Sequence, residues 1–257
     1  MKLAYREFGQ GQPLIILHGL FGQSDNWNTL AKRFAEKGFY VFTIDQRNHG
    51  LSPHSDVWNY QAMAEDLKEF IETHQLQKPI LLGHSMGGKT VMFFEIMFPN
   101  IADKIIVADI ATKSYEPHHD AVLKALNAVD FTEINTRKDA ENILSEYIFD
   151  FGTKQFLLKN IYWKEDESKQ MAWRFNLPVI CKEYNNVGVA VPLGSSEVQA
   201  LFIRGEKSNY ILDSDLPEIE KHFPNYKLET IANSGHWVHA EQPDAFFDCV
   251  VAFLMEG

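Results

Sequence analysis

Cysteine is scarce in this chain of 257 residues: there are two, Cys181 and Cys249, and neither has neighbours at metal-ligand spacing. That excludes a disulfide framework or a cysteine-built zinc site as the organising feature, and it points to reduced, structural thiols in a reducing compartment. Basic residues are also in deficit, 24 against 35 acidic ones, for a formal net charge of −11. Nucleic acid or an anionic membrane is therefore not expected as the main partner. No apolar stretch approaches the roughly 18 residues that a membrane span needs. The start, Met1-Lys2-Leu3-Ala4-Tyr5-Arg6-Glu7-Phe8, has neither an apolar signal core nor a small-residue cleavage site, so the expected location is the cytoplasm. There is no internal repeat and no low-complexity linker. Hydrophobic residues at 45% and charged ones at 23% suit one large globular domain with a substantial core.

What is present centres on Ile80 to Gly88. Ile80-Leu81-Leu82 reads as a buried strand, and it breaks into Gly83-His84-Ser85-Met86-Gly87, a G-x-S-x-G pattern, with Gly88 as a third small residue. Beyond it, Met86, Val91, Phe94, Met97 and Phe98 fit a helical face. A serine at the tip of a sharp strand-to-helix turn has a strained backbone. The residues two before and two after it must be small so that strand and helix can approach. Such a turn exposes the Ser85 hydroxyl near a helix N-terminus, whose free N–H groups favour developing negative charge. A chance serine in a glycine-rich turn is the alternative, and the flanking strand and helix weigh against it.

Around this stretch, strands and helices alternate. Lys2–Phe8 reads as an edge strand; Leu14–Leu17, Phe39–Ile44 and Lys104–Ile110 read as buried strands. Helices are expected at Leu30–Lys37, capped by Asn26 or Asn28, and at Tyr60–His74. The alternation predicts right-handed crossovers and a mostly parallel central sheet flanked by helices, an α/β fold. It stops near Ala111. Helical patterns follow at Ala121–Val129, Lys138–Phe149 and Lys154–Ile161, without convincing buried strands and with dense aromatics such as Phe149, Phe151, Phe156, Trp163, Trp173, Phe175 and Tyr184. This predicts a helical cap over one edge of the sheet, most of its aromatics forming a small core of its own. Strands at Ala200–Arg204 and Tyr226–Ile231, a helix near Asp215–His222 and a last helix at Asp244–Met255, with Phe247, Val250, Val251 and Leu254 inward, complete the pattern. The expected division is a core of residues 1–111 and 196–257 and a cap of residues 112–195.

A serine hydroxyl is a poor nucleophile until a base takes its proton. Among ten histidines, His236 follows the last strand on the sheet edge where the serine emerges, and ligands in open α/β sheets bind beyond the carboxyl ends of the strands. His239 is its nearest rival and is expected to line the site or pack on it. His84 adjoins Ser85, but the turn should aim its ring elsewhere; His18 and His49 border the crevice and are expected to shape loops. The base needs a buried carboxylate to fix its tautomer. Asp109 ends a buried strand and is favoured over Glu206 and Asp213, because an unpaired charge there would be costly and the order Ser85, Asp109, His236 suits this fold. Oxyanion donors are expected from the backbone N–H of Met86 and of Leu20, with Phe21 as the alternative to Leu20. His18, Phe21, His84 and Trp237 are candidates for the substrate pocket.

His18-Gly19-Leu20-Phe21-Gly22, Asp45-Gln46-Arg47-Asn48-His49-Gly50-Leu51-Ser52, Gly83-His84-Ser85-Met86-Gly87-Gly88 and Gly235-His236-Trp237-Val238-His239-Ala240-Glu241 stand in the order found in α/β-hydrolases, which the chain resembles over nearly its full length. Asp-Gln-Arg-Asn-His-Gly together with Trp173-Arg174-Phe175-Asn176 resembles the bacterial YbfF-type esterases. That resemblance implies a helical cap and hydrolysis of small acyl esters through an acyl-enzyme, with no metal, flavin or nucleotide. Many α/β-hydrolases carry the acid as Gly-x-x-Asp after the penultimate strand. Here Ser208 holds that place, and the members that place the acid one strand earlier would use Asp109. A serine at position 85, rather than an aspartate, argues against haloalkane dehalogenase and epoxide hydrolase chemistry. A thioesterase with the same triad remains an alternative, as do a cofactor-free lyase or C–C hydrolase and a non-catalytic binding module.

Overall fold

Continuous apolar runs in the middle strands demand cover on both faces, and helices supply it. A computed structural model describes residues 1–117, 119–167 and 169–256; the expected cap and core ranges include positions 118, 168 and 257, which lie outside the described residues. In chain order the elements are Tyr5–Gly9 (β1), Gln12–Leu17 (β2), Asn28–Glu36 (α1), Phe39–Ile44 (β3), Tyr60–Thr73 (α2), Ile80–His84 (β4), Met86–Met97 (α3) and Lys104–Ala108 (β5). An inserted segment follows with Asp120–Ala128 (α4), Arg137–Ser145 (α5), Phe151–Leu158 (α6), Ile161–Trp163 (β6), Met171–Trp173 (β7) and Leu177–Lys182 (α7). The chain then returns through Gln199–Gly205 (β8), Leu216–His222 (α8), Tyr226–Ile231 (β9), Val238–Glu241 (α9) and Pro243–Met255 (α10).

Among the described residues one seven-stranded sheet runs β1-β3-β2-β4-β5-β8-β9. Only β1 is antiparallel to its neighbour; the other pairs are parallel. Side chains alternate across it with period two. Ile15, Leu17, Leu81, Val107 and Phe202 pack on the side that includes Leu67, Phe94 and Ile219. Leu14, Ile16, Leu82, Ile106 and Ile203 pack on the other with Phe34, Phe246 and Val250. A third cluster joins Phe21 of the loop after β2, Met63 of α2 and Met86 of α3 to Leu126, Leu157 and Ile180 of the inserted segment. No helix among the described residues is long and apolar enough to cross a membrane.

Several expectations need correction. Neither Asn26 nor Asn28 caps α1: a short 3-10 turn, Ser24–Trp27, runs straight into it, and Asn26 Oδ1 instead accepts the Gln23 N–H at 2.8 Å. The inserted segment contains an antiparallel ribbon, β6 paired with β7, whose three-residue strands are too short to carry a visible alternation. Its aromatics do not all build a local core. Phe149 is 89% exposed and Phe151 68%, whereas Phe175 is buried and stacks on Trp173. In α10 the deepest residues are Phe246, Phe247, Val250 and Phe253, with Val251 and Leu254 only partly covered, because Phe247 is held against Phe34 and Phe246 against Trp27.

Candidate active site

The loops that follow β2, β3, β4, β5, β8 and β9 emerge along the carboxyl edge of the sheet, where a parallel arrangement leaves its crevice. Ser85 joins β4 to α3 with φ +51° and ψ −114°, well outside the regions that L-residues favour. The turn is possible because the residues two before and two after Ser85, Gly83 and Gly87, have no side chains. A Cβ on Gly83 would lie 2.2 Å from the Gly87 carbonyl oxygen, and one on Gly87 would lie 2.3 Å from the Leu17 carbonyl oxygen. Asp109, just beyond β5, is also left-handed, with φ +53°.

Structure brings the three sequence-selected polar groups into one relay. His236 Nδ1 lies 2.8 Å from Asp109 Oδ2, and His236 Nε2 lies 3.0 Å from Ser85 Oγ. An ionised carboxylate only accepts, so Nδ1 carries the proton, Nε2 is free to accept, and the Ser85 hydroxyl donates to it. Asp109 is fully buried, and burial pushes its carboxyl up to about 7. Ser208 Oγ–H donates to Oδ2 and the Gly205 N–H donates to Oδ1 at 3.0 Å, both favouring the charged form, as does Arg204 nearby. The rival acids lie elsewhere. Glu206 accepts the Asn233 N–H at 2.8 Å, and Asp213, largely exposed, pairs with Arg204 at 2.6 Å.

The other histidines hold the frame. His18 Nδ1–H donates to the Gly19 carbonyl at 2.8 Å while Nε2 accepts the Gln46 N–H at 3.0 Å. His49 Nδ1–H donates to the Arg47 carbonyl at 3.0 Å, and its Nε2 accepts the Phe21 N–H at 3.3 Å. Both rings are neutral in these bonds, and burial lowers their pKa values to about 4 and about 3. The Phe21 amide is thereby occupied. The Leu20 amide has no hydrogen-bond partner among the described residues. Met86 is the first residue of α3, so its N–H has no carbonyl one turn back. His84 turns away from Ser85 and donates from Nε2 to the His236 carbonyl at 2.9 Å, bracing the loop that carries His236. His239 stacks on Trp27, with ring centroids 4.2 Å apart.

Two side chains escaped sequence reasoning. Ser208 stands in the sequence only as a departure from Gly-x-x-Asp, yet its hydroxyl donates to the Asp109 carboxylate. Tyr210 stacks on the His236 ring at 3.7 Å, and nothing in its sequence context announces this. Ser85 opens into two cavities. The smaller, about 30 Å³, is lined by Leu20, Met86, Ile110, Tyr184, Val187 and Tyr210 among others. The larger, about 270 Å³, is bordered by His236 itself and by His18, Phe21, His84, Phe156 and Trp237, so all four sequence-selected pocket residues line it. Asn176 of the inserted segment donates from its backbone N–H to the Asn48 carbonyl at 2.9 Å and from Nδ2 to Asn48 Oδ1 at 3.1 Å, joining two of the motifs quoted above.

Residues 12–243 match a protein family described as alpha/beta hydrolase fold. The chain is 37% identical to esterase YbfF of Escherichia coli over 243 residues, covering 94% of this chain and 92% of that protein. It is 36% identical over 250 residues to a mouse protein named sn-1-specific diacylglycerol lipase ABHD11, covering 94% and 80%. Among solved structures it is similar to a marine microorganism esterase, with TM-score 0.95 and 43% identity over 98% of this chain and 99% of that one.

Proposed function

The chain belongs to the α/β-hydrolase family, and from that premise we propose that it is a carboxylesterase working through Ser85, His236 and Asp109. The observation that carries the proposal is the relay from Asp109 Oδ2 through His236 to a Ser85 hydroxyl facing two cavities. Ser85 Oγ attacks the ester carbonyl as its proton passes to His236 Nε2, and Asp109 stabilises the imidazolium. The Leu20 and Met86 amides receive the oxyanion. His236 then gives its proton to the leaving alcohol, and water repeats the sequence on the acyl-enzyme.

The proton must reach the leaving oxygen, so the alcohol belongs on the His236 side, in the larger cavity that His236 borders. The acyl chain takes the smaller one. A water needs roughly 10–15 Å³ of such space, so about 30 Å³ admits an acyl group of only a few carbons. Residues 112–195 act as a cap that walls both cavities, through Tyr184 and Val187 on one and Phe156 on the other. The test is hydrolysis of p-nitrophenyl esters from acetyl to palmitoyl, with covalent labelling by a fluorophosphonate. Activity that peaks at short chains, and both activity and labelling lost in Ser85→Ala, are the expected results. A folded protein that neither turns over nor labels would overturn the reading.

A further inference from the structure

Lys89 lies one turn after Ser85 on α3, and it is fully buried. Its ammonium donates to three backbone carbonyls: Thr112 at 3.1 Å, Lys113 at 2.5 Å and Val189 at 2.9 Å. An ammonium has three N–H groups, so this set saturates it, whereas a neutral amine has one donor too few. Burial draws its pKa down to about 7, against the help of Glu218 and alongside the repulsion of Lys113. Among the described residues no carboxylate forms a salt bridge with it. A lone buried charge is costly, and here three carbonyl dipoles take the place of a counter-ion.

The three carbonyls belong to the two segments by which the cap leaves and rejoins the core. These segments also bond to each other, the Tyr115 N–H to the Gly188 carbonyl at 2.7 Å and the Val191 N–H to the Thr112 carbonyl at 2.8 Å. Tyr115, Glu116, Val187 and Gly188 line the smaller cavity. We propose that Lys89 is a positioning residue that clamps both hinges of the cap to the serine-bearing helix and thereby fixes the width of the acyl cavity. The acyl part of this inference rests on the esterase reading above; the clamp itself does not. Tyr115, which accepts the Ala111 N–H and donates to the Tyr210 carbonyl, and the Lys113–Asp215 pair also anchor the entering hinge. Of these three anchors, Lys89 is the one that grips both hinges.

The experiment compares wild type, Lys89→Met and Lys89→Arg by hydrogen exchange and by ester kinetics. In Lys89→Met, exchange at the Tyr115 and Val191 amides should accelerate roughly ten- to a hundredfold, the scale of a lost charged hydrogen bond. KM for acetate should rise more than kcat falls. The ratio of octanoate to acetate kcat/KM should rise about tenfold on the same scale. Lys89→Arg, which keeps charge and donors, should restore hinge protection at least in part. Unchanged exchange and an unchanged chain-length profile in Lys89→Met would overturn the clamp. If that variant does not fold, wild-type exchange decides: hinge amides less protected than those of the β6–β7 ribbon would also overturn it. A wild type inactive on every ester would refute the esterase reading, and the exchange data would still judge the clamp.

Discussion

Asp109→Asn separates catalysis from stability and so tests the relay most sharply. The carboxylate accepts from three donors, His236 Nδ1–H, Ser208 Oγ–H and the Gly205 N–H. An amide cannot do the same. If its oxygen faces His236, its NH2 group meets the Gly205 N–H, donor against donor. If its NH2 faces His236, Nδ1 must become the acceptor, the proton moves to Nε2, and Nε2 can no longer take the Ser85 proton. The wrong-tautomer outcome costs about 10⁴ in kcat in serine proteases, or roughly 5.5 kcal/mol of transition-state stabilisation. Stability should move the other way. Because burial raises Asp109 from 3.8 to about 7, the folded state holds this proton more tightly than the unfolded one. Its stabilising contribution is complete below pH 3.8 and is lost as pH rises through about 7. The loss is at most on the order of 4 kcal/mol, three pKa units at about 1.4 kcal/mol each. The asparagine variant has no such loss and should melt no lower than wild type at pH 8, while it hydrolyses p-nitrophenyl acetate about 10⁴-fold more slowly. An activity drop below tenfold would refute the assignment of the acid, and a large fall in Tm at pH 8 would refute the burial argument.

Ser208→Ala removes one donor to the Asp109 carboxylate, so kcat/KM at neutral pH should fall about tenfold. The acidic limb of the pH–rate profile should also move to higher pH, since Ser208 holds the Asp109 pKa down. Gly87→Ala places a Cβ 2.3 Å from the Leu17 carbonyl oxygen, a backbone contact that cannot yield by a rotamer change. Thermal unfolding should show a loss of about 3 kcal/mol or more, or no cooperative transition. Glu206→Gln should leave kcat/KM within about twofold, because Glu206 bonds the Asn233 N–H on the surface and surface changes of this kind are small; a large loss would return the acid to the later strand.

The parallel sheet was legible because Leu14–Leu17, Phe39–Ile44 and Ile80–Leu82 are short, largely apolar runs bounded by turn residues and alternating with helical patterns, as doubly covered strands are. Ser85 and His236 were legible because the turn and strand-end positions are spelled out by local glycines. The inserted segment was read less well. Its ribbon strands are three residues each, below the length at which alternation becomes visible, and helix ends there drifted by up to four residues, Lys138–Phe149 being Arg137–Ser145. Tyr210 and Lys89 were missed for a different reason. The stacking of Tyr210 on His236 and the reach of Lys89 to the cap hinges are long-range contacts, separated in sequence by 26 and by 23 to 100 residues, and no local pattern encodes them.

The departure at position 208 follows from the same chemistry. The loop after β8 brings residue 208 within hydrogen-bond reach of Asp109 Oδ2, the oxygen that also holds His236. An aspartate at 208 would set two carboxylates against each other in a partly buried place, and one of them would have to keep a proton. With Asp109 just beyond β5, the loop after β8 therefore has to offer a donor there rather than a second acceptor. Serine is that donor: it is short enough to fit, and it leaves Oδ2 able to accept from His236. The Gly-x-x-Ser at 205–208 is thus the complement of Asp109 rather than a damaged acid motif. The same hydroxyl accepts the Tyr210 N–H at 3.2 Å, so it ties the residue stacked on His236 to the carboxylate that His236 Nδ1 contacts.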